Sequence, residues 1–184
     1  IATTDGGYLL AGHSKSGAGG DKSEGGRGGW DYWTVEINAN GVKVWDKSFG
    51  GSGDDYCNDV IATTDGGYLL AGQSNSGVDG DKSEAGRGSE DYWVVKIDGG
   101  GNKIWDRGFG GSGADYCTTA VATTDGGYLL AGGSVSGADG DKSEATRGNY
   151  DYWVVKIDAD GAKVWDKRYG GGSVETCGDI LATS

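Results

Sequence analysis

The chain repeats itself with a period of sixty residues. Ala2–Gly12 (ATTDGGYLLAG) recurs letter for letter at Ala62–Gly72 and at Ala122–Gly132. The GDKSE run of Gly20–Glu24 returns at Gly80–Glu84 and Gly140–Glu144. Asp31-Tyr32-Trp33 returns at Asp91-Tyr92-Trp93 and Asp151-Tyr152-Trp153. Units of this kind cannot each bury an apolar face alone, so they must stack on one another in a line or around a circle. The 184 residues divide into three units, 1–60, 61–120 and 121–184.

Within a unit no stretch keeps a 3.6-residue apolar period, so helix is not expected. Four short apolar runs alternate with turn chemistry instead. The first surrounds Cys57 (DYCNDVIATT), and Asp65-Gly66-Gly67 turns it into the second, Tyr68–Ser74. Asp-Gly between apolar runs predicts a tight hairpin with positive φ at both central residues. The second run is continuously apolar, which implies burial on both faces. The third, Tyr92–Asp98 (YWVVKID), alternates: Trp, Val and Ile on one side, Tyr, Val and Lys on the other. A second turn leads into the fourth run, for example Lys163–Tyr169, whose charges suit an edge strand.

Each unit therefore reads as a four-stranded antiparallel sheet. Four-stranded sheets repeated radially make the blades of a β-propeller. A β-helix is disfavoured because its coils are much shorter than sixty residues. The 40 Gly residues, with no Pro and no Met, are turn punctuation, and the 7 Trp and 10 Tyr recur at fixed positions as core material. A chain without Met is expected to be a mature product, a fragment or a partial sequence.

The runs DGGYLLAG, DYWVVKID and WDKSFGGSG resemble the tandem sixty-residue β-propeller repeats, of the "delta-sixty" kind, found in large secreted bacterial proteins. The resemblance covers the whole chain and implies a propeller fold in an extracellular setting. It fixes no activity. The Trp-Asp pairs at Trp45, Trp105 and Trp165 suggest WD40, but the unit is too long and no Gly-His precedes them.

The units are cut out of phase. Ile1–Thr4 is only the tail of a first run, and Val174–Ser184 is a first run with no second run after it. Three blades fall short of the roughly four to eight that close a propeller. The expected solution is a homodimer that closes one six-bladed ring, with Val174–Ser184 completing the first blade of its partner. The alternative is an open head-to-tail polymer that forms filaments.

The long loop between the second and third runs carries the candidate site residues. These are Asp21, Glu24, Arg27 and Trp30 in unit one, Asp81, Glu84 and Arg87 in unit two, and Asp141, Glu144, Arg147 and Tyr150 in unit three. Loops on a rigid scaffold are where binding sits. One expectation is an intraloop network, with Arg27 paired to Asp21 or Glu24. A second is Ca²⁺, an oxygen-seeking ion, held by Asp79, Asp81, Glu84 and Asp91, and again by Asp139, Asp141, Glu144 and Asp151. A third is a glycan or protein ligand on Trp30 and Tyr150. No other cofactor is expected.

A formal charge of −12 argues against nucleic acid, and no apolar run is long enough to insert in a membrane. Catalysis is not expected: His13 is the single His, its counterparts are Gln73 and Gly133, and no triad can be triplicated on it. Cys57, Cys117 and Cys177 occupy one equivalent position and are expected to be buried free thiols.

Overall fold

The computed structural model describes residues 1–183; Ser184, the last residue of the terminal segment, lies outside the described residues. Among the described residues all regular structure is strand, and no helix is long and apolar enough to cross a membrane. Three antiparallel sheets follow one another along the chain, consistent with successive propeller blades. The first holds β1 (Tyr8–Ser14), β2 (Asp31–Ile37) and β3 (Lys43–Phe49). The second holds β4 (Asp55–Ala62), β5 (Tyr68–Ser74), β6 (Asp91–Ile97) and β7 (Lys103–Phe109). The third holds β8 (Asp115–Ala122), β9 (Tyr128–Ser134), β10 (Asp151–Ile157) and β11 (Lys163–Tyr169). Each sheet is a simple meander in chain order, with the charged fourth run at its edge.

The first sheet has three strands because only the tail of its leading run is present. Ile1 and Leu9 exchange backbone hydrogen bonds at 2.9 Å, and Ala2 bridges Tyr8. The hairpins differ from the expected two-residue turn. Thr63–Gly67 closes with the Thr63 amide donating to the Gly67 carbonyl, and only Gly66 takes a positive φ, 84°. The Asp65 carboxylate accepts from the Thr63 hydroxyl and the Gly67 amide, so the side chain supplies order that a second left-handed residue would have supplied.

The core lies between sheets. One face of the first sheet (Leu9, Tyr32, Phe49) meets one face of the second (Cys57, Val60, Tyr68, Leu70, Trp93, Val95, Ile97). The other face of the second (Leu69, Ala71, Tyr92, Val94, Phe109) meets Cys117, Ala120, Tyr128, Leu130, Trp153, Val155 and Ile157 of the third. The alternation of β6 is thereby explained: both faces are buried, each against a different neighbour. The Tyr32 hydroxyl donates to the Trp93 carbonyl, and the Tyr92 hydroxyl to the Trp153 carbonyl, both at 2.8 Å. Cys57 and Cys117 are free and buried in these interfaces, and burial pushes the Cys57 thiol up to about 12. Cys177 is free and partly exposed.

The Asp of each Trp-Asp pair is a structural clamp. Asp106 is buried and accepts from the Ser83 amide at 2.8 Å, Trp93 Nε1 at 3.1 Å and Lys103 Nζ at 2.8 Å. Asp46 and Asp166 repeat the same three bonds. Burial opposes the Asp106 charge, but the bonds from Lys103, Ser83 and Trp93 outweigh it and hold the carboxyl below the usual range. A carboxyl depressed in the folded state contributes its full stability above its unfolded pKa, about 3.9, and loses it as pH falls from there through the lower folded pKa. The melting temperature should therefore fall over the acid interval below about pH 5. Asp106→Asn should start about 2 kcal/mol less stable at neutral pH and lose less over that interval. Parallel acid slopes for the two proteins in calorimetry would contradict this assignment.

Candidate functional site

The long loops of each sheet emerge beside the turns that lead into the next sheet's first strand. The Gly29 amide donates to the Gly53 carbonyl at 2.8 Å, and the Trp30 amide to Asp54 Oδ1 at 2.9 Å. The loop residues thus share one edge of the assembly of sheets. Their partners are not the expected ones. Arg27 does not pair with Asp21 or Glu24 of its own loop. Its guanidinium reaches Asp81 of the next loop at 3.0 Å, and Arg87 reaches Asp141 at 2.9 Å. Glu24 pairs with Lys47 at 3.1 Å, Glu84 accepts from the Gly108 amide at 3.0 Å, and Glu144 lies 3.4 Å from Lys167.

The residues expected to hold Ca²⁺ are dispersed in the same way. Asp79 accepts from the Ser52 amide and hydroxyl, at 2.8 and 2.5 Å, across the junction between sheets. Asp139 does the same with Ser112 at 2.7 Å for both bonds. Asp81 and Asp141 are taken by the arginines and by the Gly50 and Gly110 amides. Asp91 and Asp151 are buried at strand starts. Among the described residues no group of three or more His, Cys, Asp or Glu side chains is placed to hold a metal ion.

The aromatic residues do gather. Trp30 stacks edge-on with His13 at 5.1 Å between centroids and lies 6.1 Å from Tyr56, with Lys15 Nζ 5.2 Å above its ring. In the third unit Gly133 stands where His13 stands in the first. There Tyr116 and Tyr150, 5.7 Å apart, flank an open groove of about 370 Å³ with Thr118, Thr176 and Cys177. In unit two the equivalent Glu90 accepts from Tyr116 at 3.4 Å. The groove was invisible in the sequence because it forms between one unit's loop and the next unit's first strand.

The two ends of the array carry the largest exposed apolar surfaces. Tyr8 and Leu10 are each 52 % exposed, whereas their equivalents Tyr68, Leu70, Tyr128 and Leu130 are buried. Leu10 lines a groove of about 520 Å³ on the first sheet with Trp33, Val35 and Ile37. At the other end Trp165 and Tyr169 are 42 % and 58 % exposed. The terminal segment from Val174 forms no strand. It lies beside β8 as β8 lies beside β4: Thr118 Oγ1 donates to the Cys177 carbonyl at 3.0 Å, as Asn58 Nδ2 does to the Cys117 carbonyl at 2.8 Å.

Equivalent positions at the two ends have lost their contacts together. Arg147 and Asp21 have no ion-pair partner among the described residues, although Arg27–Asp81 and Arg87–Asp141 are paired. Gly101 and Gly161 abut Trp45 and Trp105 of the preceding sheet, but nothing lies within 4 Å of a Cβ on Gly41. The Ser52–Asp79 and Ser112–Asp139 contacts have no counterpart, and both positions that would form it are glycine, Gly172 and Gly19. Neither a protein-family model nor a curated protein sequence matches this chain.

Proposed function

We propose that the chain is a non-catalytic repeat module for recognition or scaffolding outside the cell, and that two chains join into one closed six-bladed propeller. The observation that carries this reading is the match between its two ends. The free face of the first sheet is the surface that receives a neighbour at both internal junctions, and the free face of the third is the surface that does the docking. A second copy offers Leu129, Tyr152 and Tyr169 to Leu10, Trp33, Val35 and Ile37, with Arg147 facing Asp21 across the seam. The Tyr152 hydroxyl then donates to the Trp33 carbonyl, as Tyr32 does to that of Trp93. The paired glycines Gly19 and Gly172 fit the same seam, since each stands opposite the other's missing partner. The partner's terminal segment supplies the first strand that β1 lacks, an exchange of identical elements. Burial of these faces also removes an apolar sheet end that would otherwise promote aggregation.

The extracellular setting follows from the resemblance of the repeats. The non-catalytic reading rests on the lone imidazole, whose Nδ1 lies 3.3 Å from the Cys57 carbonyl between two aromatic rings, and on the Cys57 and Cys117 thiols, which burial pushes up. The groove between Tyr116 and Tyr150 supports a ligand such as a glycan, whose sugar faces stack on aromatic rings. A glycan array probed with wild type and Tyr150→Ala tests that part, and identical patterns for both would remove it.

Light scattering tests the pairing: twice the 18.8 kDa of the chain is expected. Arg147→Glu should weaken the dimer at least tenfold, and so should Asp21→Lys. An equimolar mixture of the two variants re-forms one native-signed seam, so it should recover heterodimers, which a mixture of either variant with itself would not. A stable monomer for the wild type would sink the pairing. Micrographs with long polymers in place of discs would favour the filament.

A further inference from the structure

Five buried carboxylates have an oxygen with no hydrogen-bond partner: Oδ1 of Asp31, Asp55, Asp91, Asp115 and Asp151. All five residues are between 0 and 1 % exposed. Leaving a buried carboxylate oxygen unpaired is costly, and the same cost at every junction calls for a common cause. The residues form couples that join adjacent sheets. Asp31 starts β2 and Asp55 starts β4; Asp91 starts β6 and Asp115 starts β8.

The first couple converges over a glycine: a Cβ on Gly50 would stand 1.9 Å from Asp31 Oδ1 and 2.9 Å from Asp55 Oδ2. In the second couple a Cβ on Gly110 would stand 2.0 Å from Asp91 Oδ1. The outer oxygens are occupied: Asp31 Oδ2 accepts from the Arg27 amide at 2.9 Å, and Asp55 Oδ2 from the Gly51 amide and the Ser76 hydroxyl at 2.8 Å. Asp91 and Asp115 repeat these bonds with Arg87, Gly111 and Ser136. Asp31 and Asp91 are thus held so that the free oxygen lies over the glycine.

The buried ammoniums nearby form no ion pair with the couples, although Lys82 favours the charged forms of Asp55 and Asp91. Lys22 Nζ donates to the Glu24 carbonyl and the Ser48 hydroxyl, and Lys82 Nζ to the Glu84 carbonyl. Neither forms an ion pair with the four carboxylates among the described residues. Burial, and after it the charge of the opposite carboxylate, push Asp31 and Asp91 up despite the Arg27 and Arg87 amides.

The third couple, Asp151 and Glu175, differs by one residue. Gly170 brings Asp151 Oδ1 and Glu175 Oε2 to 2.3 and 2.6 Å from one point. Here Arg168 enters from β11, 7 % exposed, with Nη1 3.5 Å from Asp151 Oδ2. Ser48 and Gly108 hold that position in the other units. One unit carries a cation ion-paired with its couple, and the other two do not.

We propose that Asp31–Asp55 and Asp91–Asp115 each hold a Ca²⁺ ion, which ties adjacent sheets together. Two inward carboxylates supply charge equal to that of the ion, and hard oxygen ligands favour it. Water and backbone carbonyls complete its coordination. These sites lie inside one chain, so they stand apart from the pairing of chains.

The test is equilibrium dialysis of EDTA-stripped protein against CaCl2, with bound metal counted and MgCl2 in parallel. Two Ca²⁺ per chain are expected, with weaker Mg²⁺ binding. Asp31→Asn should leave one ion and Asp31→Asn/Asp91→Asn none, while circular dichroism keeps its wild-type form. Arg168→Ser, which opens the third couple, should raise the count toward three. A wild-type chain that retains no Ca²⁺ overturns the proposal in favour of a proton shared within each couple. Two ions that persist in the folded double variant overturn it in favour of another site.

Discussion

Trp93→Ala should cost about 3–5 kcal/mol of unfolding free energy, the range for deleting a fully buried indole. Trp93 is wholly buried, and its ring lies 4.8 Å from that of Tyr32 on the neighbouring sheet. Truncation leaves a cavity at the centre of the junction and takes a donor from the buried Asp106 carboxylate. Trp33 holds the equivalent place in the first sheet, where the facing surface is open. Trp33→Ala should therefore cost less in dilute monomer, and its main effect should be weaker association at high concentration. Urea denaturation followed by circular dichroism at two protein concentrations separates the effects. Equal, concentration-independent losses in both variants would mean that the two faces are not equivalent halves of one type of junction.

Removing residues 174–184 should abolish association and leave the fold nearly intact. Within one chain the segment is held by few bonds, among them the Glu175 amide to the Tyr150 carbonyl at 2.7 Å and Thr119 Oγ1 to Asp179 Oδ1 at 3.1 Å. Leu181 is 82 % exposed, so little apolar burial is lost with it. A few exposed hydrogen bonds contribute about 1 kcal/mol each at most. In the proposed paired ring this segment would form a strand against β1 of the partner, with a ladder of backbone bonds. The shortened chain should keep its circular dichroism and melt within a few degrees of the intact monomer. By light scattering it should be monomeric at concentrations where the full chain is paired. A shortened chain that still dimerises would remove strand exchange from the account.

Repetition made the strands legible. Tyr68–Ser74 and its two copies, Asp91–Ile97 and its copies, and the charged edge runs fall where apolar alternation and turn residues place them. Side-chain partners were not legible, because a repeat leaves two readings open at each position. Arg27 has Asp21 six residues away in its own loop and Asp81 in the next. The structure selects Asp81, since stacked sheets bring each loop beside the loop of the next unit. The same ambiguity misplaced the calcium residues. Asp79 looked like a ligand in a local acidic loop and is instead a hydrogen-bond acceptor for Ser52 across a junction. Asp31 and Asp55 stood in plain view as strand-opening residues, yet nothing in their spacing brings them together.

The sixty-residue period, the turn residues and the alternation of Tyr-Trp-Val-Val determined by themselves that the chain forms antiparallel sheets and that both faces of an interior sheet are buried. These are local properties: hydrogen-bond geometry and side-chain direction follow from a few neighbouring residues. Tertiary structure alone decided which carboxylate meets which arginine, which Asp oxygens are left without a partner, and which two faces stay open. Those outcomes depend on the offset between neighbouring sheets, and that offset is set by how Tyr32 and Tyr92 seat against Trp93 and Trp153, residues about one period distant in sequence.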